Sequence, residues 1–155
     1  MNDILGKLCN CGKDELSAFC FLCTDEMKVL AGFFKCKNVK AGEILWDEGD
    51  PCDYVAFINE GRLEVKKETE FEGKQVIVGI YSKGAFVGEL CILDGSPRAL
   101  TAKAIEDLSL VIITQESFDE LISKHPELGN KLLKGMLLSV SKRLRKSFDR
   151  LASIF

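Results

Sequence analysis

The sequence predicts a mainly β fold: a jelly-roll β-barrel or sandwich with an N-terminal helix before it and C-terminal helices after it. Two observations carry this. Between residues 35 and 114, short runs of period-two hydrophobicity alternate with Gly-containing turns, at the spacing of about eight to twelve residues expected of an all-β roll. Helical periodicity is confined to the two ends, so no helix alternates with the strands and a doubly wound α/β sheet is disfavoured. At 155 residues, 46% hydrophobic and 29% charged, the chain has the length of one domain and enough apolar content for a sizeable core.

The elements follow in order. Residues 1–13 are short, Gly-broken and partly polar, which suits a frayed helix or a flexible arm. Leu16, Phe19, Phe21 and Leu22 are expected to pack against the domain. Thr24 is a good N-cap with Asp25 and Glu26 behind it. Met27, Leu30 and Ala31 share one face of a helix that should end near Gly32. Lys40-Ala41-Gly42 forms a turn, and Glu43 to Asp47 carries Ile44 and Trp46 on one side. After the break at Glu48-Gly49-Asp50-Pro51, Tyr54 to Asn59 is a continuous apolar strand. Beyond Glu60-Gly61, Leu63 and Val65 alternate with charges. Phe71-Glu72-Gly73-Lys74 is a hairpin loop, and Val76, Val78 and Ile80 alternate after it. Thr101 to Ile105 and Leu108 to Thr114 are the last strands, joined by Glu106-Asp107. Gly42, Gly49, Gly61 and Gly84 fit tight turns.

Helical pattern returns at Gln115. Ser117 stands in capping-box spacing with Glu120, or the helix starts one or two residues earlier. Phe118, Leu121 and Ile122 form its apolar face. Pro126 suits the first turn of a second helix reaching about Phe148. There Leu133, Leu137, Val140, Leu144, Ser147 and Leu151 recur at alternating four- and three-residue steps, partly a coiled-coil seam and partly a face laid on the roll. The organisation expected is an N-terminal arm or helix over 1–23, a β-roll over 24–125 and an amphipathic helix over 126–150.

Between the strands lies Phe86 to Ala104, FVGELCILDGSPRALTAKA. It turns at Gly88-Glu89, runs apolar through Leu90, Cys91, Ile92 and Leu93, and breaks at Asp94-Gly95 before Ser96-Pro97-Arg98. One carboxylate, one guanidinium and several backbone N–H groups thus fall close together. That suits a small ligand with a phosphate and a hydroxylated sugar.

The segment resembles the phosphate-binding cassette of the cyclic nucleotide-binding domain. That domain is shared by catabolite activator-type regulators, regulatory subunits of cyclic-AMP-dependent kinase and cyclic-nucleotide-gated channels. The family pattern is roughly F-G-E-[LM]-A-[LM]-x-x-x-x-P-R-[AST]-A-[TS]. Here Phe86 is followed by an inserted Val87, then Gly88 to Thr101 in register, and the resemblance covers roughly residues 15 to 148. It implies a regulatory protein that binds a cyclic nucleotide and signals through movement of its last helix.

The resemblance also assigns roles. Arg98 would meet the cyclic phosphate with its planar fork of donors, which Lys lacks, aided by backbone N–H groups near Ala99, Cys91 and Ile92. Glu89 would accept from the ribose 2′-hydroxyl and could brace Arg98. Gly88 would let the backbone approach the ligand. A Thr directly after the Arg favours guanine in related domains; Ala99 lacks that hydroxyl, so cyclic AMP is favoured over cyclic GMP. Leu100 replaces a small residue and bears on pocket volume. Val76, Val78 and Leu90 would form an apolar wall, with Met136, Leu137, Ser139 or Val140 near the base. The final helix pairs subunits in the family, which implies a homodimer.

Other classes are weaker. No nucleophile, zinc-protease or nucleotide-hydrolase motif is present, and the lone His125 precedes a Pro at a helix junction, so binding without catalysis is expected. No cofactor or metal is expected. Cys9, Cys11, Cys20 and Cys23 are close in sequence and keep a metal or redox sensor open as an alternative; Cys36, Cys52 and Cys91 are isolated and suit packing positions. A jelly-roll interaction module with lost nucleotide affinity and a protein partner is the other alternative. The net charge of −3 gives no general pull toward nucleic acid. Lys142, Arg143, Arg145, Lys146 and Arg150 read as a solvated basic flank, and no helix-turn-helix fits between Leu144 and Phe155, so DNA binding is not expected. No membrane span or leader pattern is present, which points to the cytoplasm and to no membrane contact.

Overall fold

The computed structural model describes residues 2–11 and 18–155, and the side chains of all of these except Asn2, Asn10 and Cys11. Helices α1 (Asn2–Cys11) and α2 (Thr24–Ala31) precede strands β1 (Lys35–Val39), β2 (Ile44–Trp46), β3 (Tyr54–Glu60), β4 (Leu63–Glu68), β5 (Gln75–Tyr81) and β6 (Phe86–Val87). The short α3 (Leu90–Leu93) leads to β7 (Thr101–Ala104) and β8 (Leu108–Thr114), then α4 (Gln115–Lys124) and α5 (Pro126–Ala152). Two antiparallel four-stranded sheets, ordered β1-β8-β3-β6 and β2-β7-β4-β5, form the roll. This is the mainly β architecture with helices at both ends that the sequence predicts.

Two cores share one sheet. Along β3, Val55 and Phe57 face the helices, whereas Ala56 and Ile58 face the inside of the roll. Strand β8 repeats this, with Val111 and Ile113 outward and Leu108 and Leu110 inward. A strand buried on both faces reads as an unbroken apolar run, which is why 54–59 shows no alternation. The helix-side core adds Leu8, Phe19, Leu30, Leu121, Leu132 and Met136. Leu8 is fully buried, so the N-terminal segment is a docked helix rather than an arm.

Several local expectations are corrected. Cys23, not Thr24, caps α2, and its backbone N–H donates to Glu26 at 3.0 Å. Thr114 caps α4 in place of Ser117, its hydroxyl accepting from the Ser117 N–H at 3.1 Å. Phe19 is buried but Phe21 is exposed, because the chain turns there; Leu16 lies outside the described residues. Ile44 and Trp46 do not share an environment: the register of β2 on β7 shifts between them, leaving Ile44 open and Trp46 inside. On β5 the pairing passes from Val65–Gly79 to Lys66–Ile77, which leaves Val78 as the extra residue of a bulge. Opposed residues share a face, so Val76 and Ile80 lie on opposite faces. Val76, Val78 and Ile80 are all substantially exposed, because β5 is an edge paired with β4 alone.

Helix α5 docks by its first half. Leu128, Leu132 and Met136 enter the helix-side core, and a Cβ at Gly135 would stand 1.8 Å from the Ala18 carbonyl oxygen. Leu137 lies on the open side of that half, and the second half presents Leu144, Phe148 and Leu151 to solvent. Met136 is thereby committed to the core and is not available near the roll's interior.

Candidate functional site

Sheet closure builds the site. Strand β2 pairs with β7, and β3 pairs with β6. The loop 47–53, which joins β2 to β3, therefore lies beside the segment 88–100, which joins β6 to β7. Backbone bonds tie them: the Gly49 N–H donates to the Arg98 carbonyl at 2.8 Å, and the Arg98 N–H donates to the Asp50 carbonyl at 2.9 Å.

Arg98 is buried, 4% exposed. Its Nη1 donates to the Tyr54 carbonyl at 2.8 Å and its Nη2 to Asp53 Oδ1 at 3.1 Å. The guanidinium stacks on Trp46, 3.7 Å from the ring centroid, with Tyr54 at 4.8 Å. Trp46 is itself held by its Nε1–H, which donates to the Leu100 carbonyl at 3.0 Å. Burial raises the Tyr54 phenol pKa, partly offset by the Arg98 charge. The Arg98 Nε–H is buried without an acceptor among the described residues, a deficit that normally costs about 1–3 kcal/mol.

Gly88 sits against this cluster with φ +85°; a Cβ there would lie 2.4 Å from Arg98 Nη1. Both the left-handed backbone and the close approach require glycine. Glu89 follows as the half-buried N-cap residue of α3, with no side-chain capping bond. The expectation that Glu89 braces Arg98 is corrected: Asp53 and the Tyr54 carbonyl occupy that role. The structure brings Gly88, Cys91 and Arg98 together, while Ala99 is exposed and Leu100 packs against the roll's inner core. Leu90 is 40% exposed and Val78 44% exposed, the latter on the β5 bulge.

Sequence reasoning missed Trp46, Asp53, Tyr54, Glu48 and Lys67. Lys67 pairs with Glu48 and also donates to the Ala99 carbonyl at 3.3 Å. Lys67 opposes Val76 across the β4–β5 ladder, so the two share one face of the sheet. Arg143 is not part of a solvated flank. It donates through Nη2 to the Phe86 carbonyl at 2.8 Å and lies over the rings of Tyr81 and Phe86. It thus joins α5 to the strand that enters the 88–100 segment. No local signal could reveal these contacts: those of Arg98 with Asp53 and Tyr54, of Trp46 with Leu100 and of Arg143 with Phe86 each span at least 44 residues of chain, and those of Lys67 with Glu48 and Ala99 span 19 and 32.

Cys36 does not fill a packing position. It is exposed, with Lys7 Nζ and Asp3 Oδ2 each 3.6 Å from its sulfur. Cys20 and Cys23 are exposed and Cys9 half-buried; the side chain of Cys11 lies outside the described residues. Among the described residues no group of three or more His, Cys, Asp or Glu is placed to hold a metal. Nor, among them, is any helix long and apolar enough to cross a membrane.

The class of the fold is thus an antiparallel β-roll with a glycine turn and a buried arginine in the segment between β6 and β7. Residues 36–125 match the family model described as the cyclic nucleotide-binding domain, and the chain belongs to that family. Lysophospholipase NTE1 of Phaeosphaeria nodorum is 31% identical over 112 residues, 72% of this chain and 7% of that protein. A cyclic nucleotide-binding domain from Methylobacillus flagellatus superposes with TM-score 0.80 at 27% identity, covering 86% of this chain and 75% of that one. A cAMP-bound PfPKA-R chain does so with TM-score 0.67 at 27% identity, over 80% and 43% of the two chains. This chain spans only about 7% of the length of the lysophospholipases it matches.

Proposed function

We propose that this domain is a regulatory sensor that binds a cyclic nucleotide, cyclic AMP in preference to cyclic GMP, and leaves it intact. The observation that carries this is Arg98. It lies buried against Gly88 in the corner made by the Trp46 and Tyr54 rings, with an Nε–H that lacks an acceptor among the described residues. A cyclic phosphate oxygen would supply that acceptor, and the guanidinium's remaining hydrogens would complete a bidentate contact. Glu89, on the turn beside it, would accept from the ribose hydroxyl. Leu90, Val76 and Val78 offer exposed apolar surface to ribose or base, and Lys67 adds positive charge near Ala99.

The base preference rests on Ala99, which carries no hydroxyl for a guanine amino group; the relative with cAMP bound supports the same ligand class. Signalling would run through Arg143. A ligand that moves the 88–100 segment moves Phe86, and Arg143 couples Phe86 to α5. A second copy of this chain is the proposed occupant of the exposed stripe on α5, and the cytoplasm the proposed location.

The test is calorimetric titration with cyclic AMP and cyclic GMP, repeated on Arg98→Ala. Micromolar or tighter binding, tighter for cyclic AMP, is expected, with a loss of about tenfold to a hundredfold in the variant from the missing charge-assisted bonds. A competing reading, a partner-binding roll without nucleotide affinity, draws on the same guanidinium being enclosed by Asp53 and Tyr54. The absence of heat and of competition with either nucleotide selects it.

A further inference from the structure

The cysteines at 52 and 91 stand apart in sequence but meet in the fold. Cys52 lies in the 47–53 loop and Cys91 in α3. Both converge on one atom, the Gly88 carbonyl oxygen: Cys52 Sγ is 3.9 Å from it and the Cys91 backbone N–H donates to it at 3.3 Å. The two thiols differ in access. Cys91 is fully buried, whereas Cys52 is half-buried. Burial pushes the Cys91 thiol up to about 12, so it stays protonated while Cys52 meets solvent.

We propose that Cys52 and Cys91 are a redox pair whose reversible disulfide locks the Gly88–Arg98 segment to the loop that grips Arg98. The oxidant is a peroxide. The Cys52 thiolate attacks one peroxide oxygen, the O–O bond breaks, and with hydrogen peroxide a sulfenic acid and hydroxide result. The Cys91 sulfur then attacks the Cys52 sulfur. Its proton passes to the departing hydroxyl, water leaves, and the S–S bond forms. Two thiols have lost two electrons and two protons, and one peroxide has become two waters. The more accessible member starts the sequence and the buried member resolves it. Thiol–disulfide exchange with a small dithiol reverses it.

The location gives the bond its consequence. The 47–53 loop holds Arg98 through Gly49, Asp50 and Asp53, and Cys52 lies within it. A covalent tie from Cys52 to α3 restrains the two segments whose separation any ligand at Arg98 must adjust. The effect on ligand rests on the nucleotide-binding reading; the bond itself does not.

The test treats the reduced full chain with hydrogen peroxide, blocks remaining thiols, and digests with trypsin without reductant. Cys52 falls in peptide 41–62 and Cys91 in peptide 84–98. The expected product is these two peptides joined, two hydrogens lighter than their sum, and lost in Cys91→Ser with sulfenic acid then trapped on Cys52. Failure to find the joined peptide, or its replacement by links among other cysteines, overturns the proposal. Cyclic AMP titration of oxidised and reduced protein follows. A change of at least about tenfold in affinity, reversed by dithiothreitol and absent in Cys52→Ser, is expected. Equal affinities overturn the regulatory part. If reduced protein binds no nucleotide, the function reading fails while the peptide map still decides the disulfide.

Discussion

The Glu48 carboxylate accepts from Lys67 and, at 3.0 Å, from the Glu68 backbone N–H, and these contacts hold it below the ordinary glutamate value of 4.5. Asp107 is lowered in the same way by the Ala41 N–H and then Lys40. A carboxylate with a lowered folded pKa stabilises the fold above its unfolded value, and that contribution is lost as pH falls through the folded value. The melting temperature should therefore be level from pH 7 to about 5 and fall below about 4.5. Glu48→Gln should melt lower at neutral pH and fall less steeply in acid. An acid limb of unchanged slope would show that Glu48 contributes nothing there. At this scale the sequence marks Arg98, Gly88 and Glu89 through a local motif. It is silent on Glu48, Asp53 and Trp46, whose roles come from contacts across the sheets.

Helix α5 shows what an element's pattern conveys. Its apolar period is plain in the sequence, but the division between a docked and an open half is not. Gly135 makes that division physical: in a helix interior glycine is about 1 kcal/mol less favourable than alanine, yet here a Cβ would collide with the Ala18 carbonyl. Gly135→Ala should lower unfolding free energy by about 1–3 kcal/mol, the usual cost of overpacking, read from urea denaturation. A gain of about 1 kcal/mol, the outcome of helix propensity alone, would mean the two backbones separate at little cost. Strand β5 is the complementary case. Its bulge at Val78 arises from pairing with β4, and period-two reasoning applied to the strand alone places Val76 and Ile80 on one face.

For the whole molecule, the exposed Leu144, Phe148 and Leu151 on one long helix give the homodimer proposal its test. Light scattering behind gel filtration should give twice the chain mass of 17.2 kDa. Leu144→Asp with Phe148→Asp should give the monomer, because charges placed in a helical seam oppose its burial. A monomer at every concentration would remove α5 as the dimer contact. A variant that stays dimeric would move that contact elsewhere on the molecule.

Periodicity, turn residues and one local motif determined the strand run, the helical ends and the glycine–arginine segment, because these depend on neighbours within a few residues. Tertiary structure alone decided that β3 and β8 face two cores, that Asp53 rather than Glu89 grips Arg98, that Arg143 reaches Phe86, and that Cys52 meets Cys91. The first and third follow from the helices packing on one sheet, and the second and fourth from β2 closing on β7 and β3 closing on β6. That closure brings two loops distant in the chain side by side, and no local pattern encodes it.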